Sequence, residues 1–331
     1  AIQKVERLLA TNSEADARAL FKLCSQDQWQ YPRAMKELAS GEWRNKVVPI
    51  LYRPFDVRWT VYDRNVAVHR RERASENMLQ NNVSLCTTRS TEIARGWEHV
   101  WVSTDLIQHH TVSIKEVNYF FPLWIYDSPT SDLLEQRREG RRANLSAEFV
   151  EALSSVVRRE VVPEEAFAWT YALLYAPSYR NRYADFLRRD FPRIPLPPNA
   201  GLFKEVVAIG HELIALHTMD QKQSRITRFD VPGTNEVVKE RWAPDSEGKG
   251  RVYINEAQYF EGVPKGVWDT HIGGYRVAEK WLKDRKGRQL SFEDVMHYHE
   301  VVAALARTLE LQAELDALVE AHLGWPLREA N

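Results

Sequence analysis

The most regular hydrophobic pattern in the sequence lies near the C-terminus. Ser291, followed three residues later by Asp294, resembles a capping box at a helix start, with Asp in place of the usual Glu or Gln. A shorter helical pattern at 275–282 precedes it, and basic residues separate the two. The sequence therefore predicts a C-terminal helical hairpin with a basic turn. Apolar residues of the long helix recur at intervals of three and four, which places them on one face: Val295, Tyr298, Val302, Leu305 and Leu309.

Upstream, the pattern changes between helical and strand-like segments. Residues 1–46 carry apolar residues at helical spacing, whereas 47–126 contain short runs of branched and aromatic residues between polar turns, which is typical of strands. Further strand-like runs lie at 225–229, 236–241 and 251–255. The predicted class is α+β, with a mixed β-sheet portion, helical subdomains and the C-terminal hairpin. We expect an N-terminal helical connector at 1–46 and a main domain at 47–331, which is β-rich at 47–126 and 225–255 and helical at 145–218 and 273–323.

Composition narrows the classes of protein that the chain can be. Its 331 residues are 44% hydrophobic and 27% charged, which is ordinary for a globular chain with a core. The net charge of −1 gives no general attraction to nucleic acid, so a DNA contact must use local clusters of Lys and Arg. Two distant cysteines fit a reducing cytoplasm, and we expect no membrane span because no apolar run is long enough. The chain starts at Ala1 inside a helical pattern, so we expect a segment of a longer polypeptide.

Four sequence blocks, in order along the chain, resemble one known family. They are ILYRPFDVRW at 50–59, FPLWIY at 121–126, APSYR through DFPRIP at 176–195, and GGYRVAEKWLKDRKGRQLSFEDVMHYHEVVAAL at 273–305. The chain is similar in these blocks to the C-terminal target-recognition (specificity) domain of type ISP restriction-modification enzymes and to related N6-adenine DNA methyltransferases. Four blocks in the same order are far more specific than one short motif.

The resemblance implies a role in DNA recognition without catalysis. It implies that this segment docks on double-stranded DNA and positions the target adenine for an adjacent methyltransferase domain of the same polypeptide. In the family, S-adenosylmethionine and ATP with Mg²⁺ bind other domains, so no cofactor is expected in this segment. The implied location is the cytoplasm of a bacterium or archaeon, with no membrane partner. The resemblance also implies that residues 1–46 correspond to the connector that follows the methyltransferase domain; a plain N-terminal helical cap is the alternative.

Possible catalytic motifs do not satisfy the geometry that their chemistry needs. His211 and His217 suggest a zinc protease, but six residues place them about 240° apart around a helix, so they cannot bind one metal. The run 244–249 resembles a PD…ExK nuclease, but its acids are too close together to lie on separate strands. A methyltransferase tetrapeptide of the type Asn/Asp-Pro-Pro-Tyr/Phe is absent. We expect no catalytic or metal site; the rival enzyme hypothesis is a hydrolase that uses a pair such as His211 and Glu212.

DNA recognition needs cations that hold phosphates and polar side chains that reach base edges. Three clusters can supply the cations: the loop residues Arg64, His69, Arg70, Arg71 and Arg73; the helix residues Arg180, Arg182, Arg188 and Arg189; and the turn residues Lys280, Lys283, Arg285, Lys286 and Arg288. An arginine-rich segment at 128–143 is a further possibility. The candidates for reading bases are Asn77, Gln80, Asn81, Asn82, Arg89 and Arg95.

Each cluster also has a structural explanation. The loop can be a solvated surface. The aromatic residues beside the second cluster, Tyr179, Tyr183 and Phe186, recur at helical spacing and are expected in the core rather than at a base-stacking surface. An ion network of Arg53, Asp56 and Arg58 is expected at a strand corner. The alternative function is a scaffold that joins proteins without touching DNA. In the structural interpretation of the turn, its cations pair with Glu279, Asp284, Glu293 and Asp294.

Overall fold

A computed structural model of the protein describes residues 1–23, 29–92, 95–126, 140–245, 249–322 and 324–327. Helices and small sheets alternate along the described chain, and a long helix lies near its C-terminal end, so the predicted α+β class is confirmed. Within these ranges, no helix is both long enough and apolar enough to cross a membrane.

Three short N-terminal helices form a small core of their own. They are α1 (Ile2–Leu9), α2 (Glu14–Phe21) and α3 (Tyr31–Ala39). Ser13 begins α2 by accepting a hydrogen bond from the Asp16 amide at 3.1 Å. Since Val61 of the first sheet belongs to this core, the helices pack directly on that sheet. The buried residues of the core are Leu8, Ala17, Leu38, Trp43 and Val61.

Two three-stranded sheets form most of the predicted β-rich portion. In the first, β1 (Val47–Arg53) pairs antiparallel with β2 (Asp56–Val61) and parallel with β5 (Leu106–Ile107). In the second, β3 (Ser84–Thr88) lies between β4 (Val100–Ser103) and β6 (Asn118–Pro122), both antiparallel. A separate hairpin joins β7 (Trp124–Tyr126) to β8 (Arg141–Ala143), and a short helix, α4 (Glu72–Ser75), lies between β2 and β3.

The middle of the chain is helical, as predicted. It contains α5 (Ala147–Val157), α6 (Pro163–Tyr175), α7 (Pro177–Arg182), α8 (Ala184–Leu187) and α9 (Ala200–His217). Helices α6 and α9 pack closely at Gly210, where an added Cβ would lie 2.2 Å from the carbonyl oxygen of Ala168. Only glycine therefore permits this approach, and the two helices form the centre of the main core.

The C-terminal helical hairpin is confirmed, with one change at its start. Its short helix is α11 (Val277–Lys283) and its long helix is α12 (Phe292–Ala321), which begins with the predicted capping box of Ser291 and Asp294. Tyr275, predicted in the first helix, lies instead in a two-stranded hairpin. The elements before α11 are α10 (Lys265–Asp269), β12 (His271–Ile272) and β13 (Tyr275–Arg276).

The strand bounds predicted between 225 and 255 are partly wrong. The sheet here consists of β9 (Arg241–Pro244), β10 (Gly250–Tyr253) and the unpredicted β11 (Tyr259–Glu261), whereas 225–229 and 236–240 contribute only isolated bridges. The side chain of Gln258 explains the difference. It donates to the Val231 carbonyl at 3.0 Å and accepts from the Asn235 amide at 2.8 Å, so it replaces a strand ladder in this segment.

A buried histidine lies where α6, α9 and α12 meet. His217 hydrogen-bonds through Nδ1 to the Tyr171 hydroxyl at 2.7 Å and through Nε2 to the Thr308 hydroxyl at 2.9 Å. Its ring stacks on Trp101 with 4.3 Å between centroids. Burial, assisted by the charge of Arg180, lowers the His217 pKa to about 3. The ring is therefore neutral at pH 7, and its hydrogen bonds and stacking stabilise the core.

We predict that the free energy of unfolding decreases as the pH falls from about 6.5 to 4. Burial also lowers the pKa of His99, His271 and His299 to about 4, whereas the ordinary value is 6.5. Between these values the unfolded chain binds protons that the native chain does not, so the stability present above pH 6.5 is lost on acidification. Urea unfolding at a series of pH values measures this loss. His217→Gln will flatten the curve, and a flat wild-type curve would contradict the prediction.

Candidate nucleic-acid interface

The loop between β2 and β3 forms an open concavity of about 600 Å³ lined with cations. Arg64, His69 and Arg73 are exposed there, whereas Arg70 forms an ion pair with Glu72. His69 and Arg71 have φ angles of 52° and 49°, a region that residues other than glycine rarely adopt. A backbone held in this conformation at two nearby positions needs support from the surrounding structure.

Arg71 supplies this support from inside the loop. Its guanidinium donates to the Asn118 carbonyl oxygen of β6 and, at 2.6 Å, to Nδ1 of His109. Burial and the Arg71 charge lower the His109 pKa to about 4, so its ring is a neutral acceptor at pH 7. That ring stacks on His69 with 4.8 Å between centroids. In this structure Arg71 positions the loop, a role that its sequence neighbours do not indicate.

Asn77 and Asn82 lie beneath the loop and are each only 6% exposed. The Asn82 amide donates to the Trp124 carbonyl at 2.7 Å and accepts from the Trp124 amide at 3.0 Å. Asn77 accepts from the Tyr126 amide at 2.8 Å. These side chains hold β7 against the loop, so their hydrogen-bonding groups are not available to a base edge here. The exposed amide side chains of this region are Gln80 and Asn81.

In the basic turn of the C-terminal hairpin, two of the five cations are paired. Lys280 forms an ion pair with Asp284. Arg285 lies over the Trp281 ring, with 3.4 Å between guanidinium and centroid, and pairs with Asp56 at 3.2 Å. The structural interpretation therefore holds for these two residues, since Arg285 also pairs with Asp294. The exposed cations of the turn, which form no ion pair with any described residue, are Lys283, Lys286 and Arg288.

A chain of contacts joins the loop to the turn. His110, next to His109, accepts at its carbonyl oxygen a hydrogen bond from the Tyr275 hydroxyl at 2.9 Å. Arg53 lies over the Tyr275 ring at 4.8 Å. The predicted ion network is present in part. Arg58 pairs with Asp56 at 2.8 Å, whereas Arg53 donates to the side-chain oxygen of Gln108 at 3.2 Å. We define the basic surface as the exposed cations at its two ends that form no ion pair with a residue that the structure describes: Arg64, Arg73, Lys283, Lys286 and Arg288.

The second predicted cluster is divided between the core and the surface. Arg180 is 9% exposed and donates from Nε to the Leu174 carbonyl at 2.6 Å, with its guanidinium 4.7 Å from the Tyr175 ring. Arg188 is half-buried. Arg182 and Arg189 are exposed without an ion pair among the described residues.

Two candidates for reading bases also have partners inside the protein. Arg95 donates to the Gly273 carbonyl oxygen and lies 3.4 Å from Glu98. Arg89 is exposed, and its Nε pairs with Asp190 at 3.0 Å. Exposed pairs of this kind contribute little to stability, so Arg89 can exchange its partner for a phosphate.

The described residues contain no group of three or more His, Cys, Asp or Glu side chains that could hold a metal. His211 is exposed, while His217 is occupied in the core. Residues 128–139 of the arginine-rich segment and residues 246–248 of the nuclease-like run lie outside the described residues. The chemistry that the described surface offers is therefore charge and hydrogen bonding at the basic surface.

The family model named Type ISP C-terminal specificity domain matches residues 1–314. The chain belongs to this family. It is thus the specificity segment of a type ISP enzyme, a part distinct from the catalytic domains, and its role is target recognition in restriction-modification. The family predicted from the four sequence blocks is confirmed. No curated protein matches the chain in sequence.

Three solved structures share the fold of this specificity domain. A nuclease-deletion mutant of the type ISP enzyme LlaGI in complex with a DNA substrate mimic is 19% identical, with a TM-score of 0.59 over 82% of this chain and 24% of that chain. The ATP-dependent type ISP enzyme LlaBIII bound to DNA is 17% identical, with a TM-score of 0.63 over 95% of this chain and 21% of that chain. A DrdV–DNA complex is 20% identical, with a TM-score of 0.63 over 97% of this chain and 32% of that chain. The specificity domain thus spans a third or less of the length of these chains.

Proposed function

We propose that this specificity domain binds duplex DNA through its basic surface and recognises the target sequence of a restriction-modification polypeptide. The observation that carries the proposal is the set of five exposed cations of the basic surface, none of them in an ion pair within the described ranges, in a protein whose net charge is −1. Such local concentration is what phosphate binding requires. The similar structures contain DNA, which agrees with the proposal.

The fixed loop suits recognition as well as affinity. Arg71 and the stacked pair His69 and His109 hold the backbone of the loop, so Arg64 and Arg73 start from a defined geometry. Preorganised contacts lose less conformational entropy on binding. We assign phosphate contacts to the basic surface and base contacts to the exposed side chains of Gln80 and Asn81, leaving Asn77 and Asn82 as supports.

The proposal includes a methyltransferase domain of the same polypeptide as the partner that receives the target adenine. S-adenosylmethionine, ATP and Mg²⁺ belong to other domains in this proposal. The positioning role can be measured with the complete polypeptide. Substitution of Gln80 and Asn81 by alanine will reduce methyl transfer to the preferred DNA site more than binding to mixed-sequence DNA.

The direct test is binding of the 331-residue chain to a mixed-sequence duplex, followed by fluorescence anisotropy. If all five cations contact phosphates, the slope of log K against log salt is about −4.5. The affinity then falls by about 500-fold between about 50 and 200 mM salt. Binding that does not respond to salt would contradict a phosphate-gripping surface. Absence of binding at the lower salt, both for this chain and for the complete polypeptide, would favour the scaffold alternative.

A further inference from the structure

An aromatic surface lies beside α7, which ends at Arg182, and α8, which is followed by a turn that carries Arg189. Phe186 is 72% exposed, and Tyr119 and Phe121 on β6 are 38% and 39% exposed. The Phe191 ring packs edge-on against both of these β6 residues, at 5.2 Å and 5.6 Å between centroids. Phe186 and Phe191 line one cavity of about 370 Å³, a volume within the range of about 300 to 1,000 Å³ that is usual for ligand pockets.

Local backbone geometry places Phe186 outside the core. Tyr183, with φ −109° and ψ 18°, separates α7 from α8, so the helical periodicity that predicted a common apolar face is interrupted. Tyr179 and Leu187 are 2% and 1% exposed and anchor the segment on either side of the interruption. The core prediction is therefore correct for Tyr179 and wrong for Phe186, whose ring gives up the stabilisation that burial would provide.

The surroundings of Phe186 are positively charged. Four arginines and two aspartates give residues 182–193 a net charge of +2. Arg182 and Arg189 are exposed and form no ion pair with a described residue. A second copy of the same surface would be repelled by this charge, whereas a polyanion would be attracted. An exposed apolar side chain between cations is the arrangement that DNA-bending proteins use to insert a wedge at a base step.

We propose that Phe186 stacks against a DNA base at an unstacked step, while Arg182 and Arg189 hold the phosphates on either side. The proposal rests on the DNA binding proposed above and adds a second contact that does not involve the basic surface. The cavity beside Phe186, which Pro195 and Arg193 also line, offers apolar walls to a planar base. Stacking of this kind tolerates any base, so Phe186 would favour deformable steps instead of reading one base.

The test compares a fully matched duplex with the same duplex carrying one central mismatch, using the 331-residue chain and Phe186→Ala. A mismatch lowers the free energy needed for unstacking, so the wild-type chain will bind the mismatched duplex more tightly. Phe186→Ala will lose this preference, with affinity for the mismatched duplex falling about 5- to 150-fold. The salt slope, which reports phosphate contacts, will stay unchanged.

Two further variants control for general effects. Leu20→Ala removes another exposed apolar side chain, 54% exposed in α2, and will leave both affinities unchanged. Phe186→Trp keeps a stacking ring and will retain the mismatch preference. Wild-type binding without a mismatch preference, or an equal loss of both affinities in Phe186→Ala, would overturn the stacking contact alone. Unchanged DNA binding in Phe186→Ala would also overturn it and assign the surface to a protein partner. No binding to either duplex, by the wild-type chain or by the complete polypeptide, would instead contradict the proposed function.

Discussion

Substitution of all five cations of the basic surface by alanine will weaken binding to duplex DNA by about 10³-fold or more at about 0.1 M salt. Each phosphate contact contributes about 0.9 to the slope of log K against log salt, so the slope will become less negative by about 4.5, and only the contribution of other contacts such as Arg182 and Arg189 will remain. The side chains are exposed and outside the core, so the fold will be kept. The measurement is a salt titration of binding for the wild-type and variant chains. The substituted residues are Arg64, Arg73, Lys283, Lys286 and Arg288.

A control with the same change in net charge separates local contact from general attraction. It replaces five other exposed cations by alanine, and it will retain the wild-type salt slope. Equal losses in both variants would show that overall charge, not the basic surface, determines affinity. An unaffected variant of the basic surface would place the DNA contact elsewhere. The control residues are Lys4, Arg33, Lys36, Lys204 and Lys239.

Gly273→Ala will destabilise the protein by about 4 kcal/mol or more, which is in the exceptional range for one substitution. Gly273 has φ +55°, and an added Cβ would lie 1.8 Å from the carbonyl oxygen of Val112. The same residue donates from its amide to the Glu98 carbonyl at 2.7 Å, so the backbone cannot move away without losing this bond. Because Val112 follows the His109–His110 segment, we expect the damage to reach the basic loop. Urea unfolding measures the change.

Gly287→Ala is the matched comparison, since Gly287 also has a positive φ, +74°, but no atom within 4 Å of an added Cβ. It tests the conformational effect without the clash, and we expect a cost of about 1 to 2 kcal/mol. Similar stability changes in the two variants would mean that the contact with Val112 relaxes easily. That outcome would contradict the close packing of the 271–276 hairpin on the loop before β6.

Features that depend on neighbouring residues were predictable. The hairpin of α11 and α12 follows from an apolar period and from a cap whose two residues are three positions apart. The strands of 47–126 follow from short branched and aromatic runs. In contrast, the irregular path at 225–241 depends on Gln258, which lies 27 and 23 residues from the two backbone groups that it bonds.

In the candidate site, too, neighbouring residues predict the segment, while distant residues determine the role of each side chain. A run of arginines indicates a basic segment, but Arg70, Arg71 and Arg73 lie within four positions and have an ion pair, an internal anchor and an exposed side chain respectively. The choice depends on distant groups such as His109 and Asn118. No local pattern carries that information, because the energy of burying a cation depends on the partners that the fold brings to it.

The sequence by itself determined the family, through four ordered blocks, together with the α+β class and the segments that hold the cations. The tertiary structure decided which cations are free to bind, since pairing of Arg285 with Asp56 joins residues 229 positions apart. It also decided that Phe186 is exposed while Tyr179 is buried, because a single break in a helix redirects side chains that share one periodic pattern. Periodicity reports the face on which a side chain lies, and only packing determines whether another element covers that face.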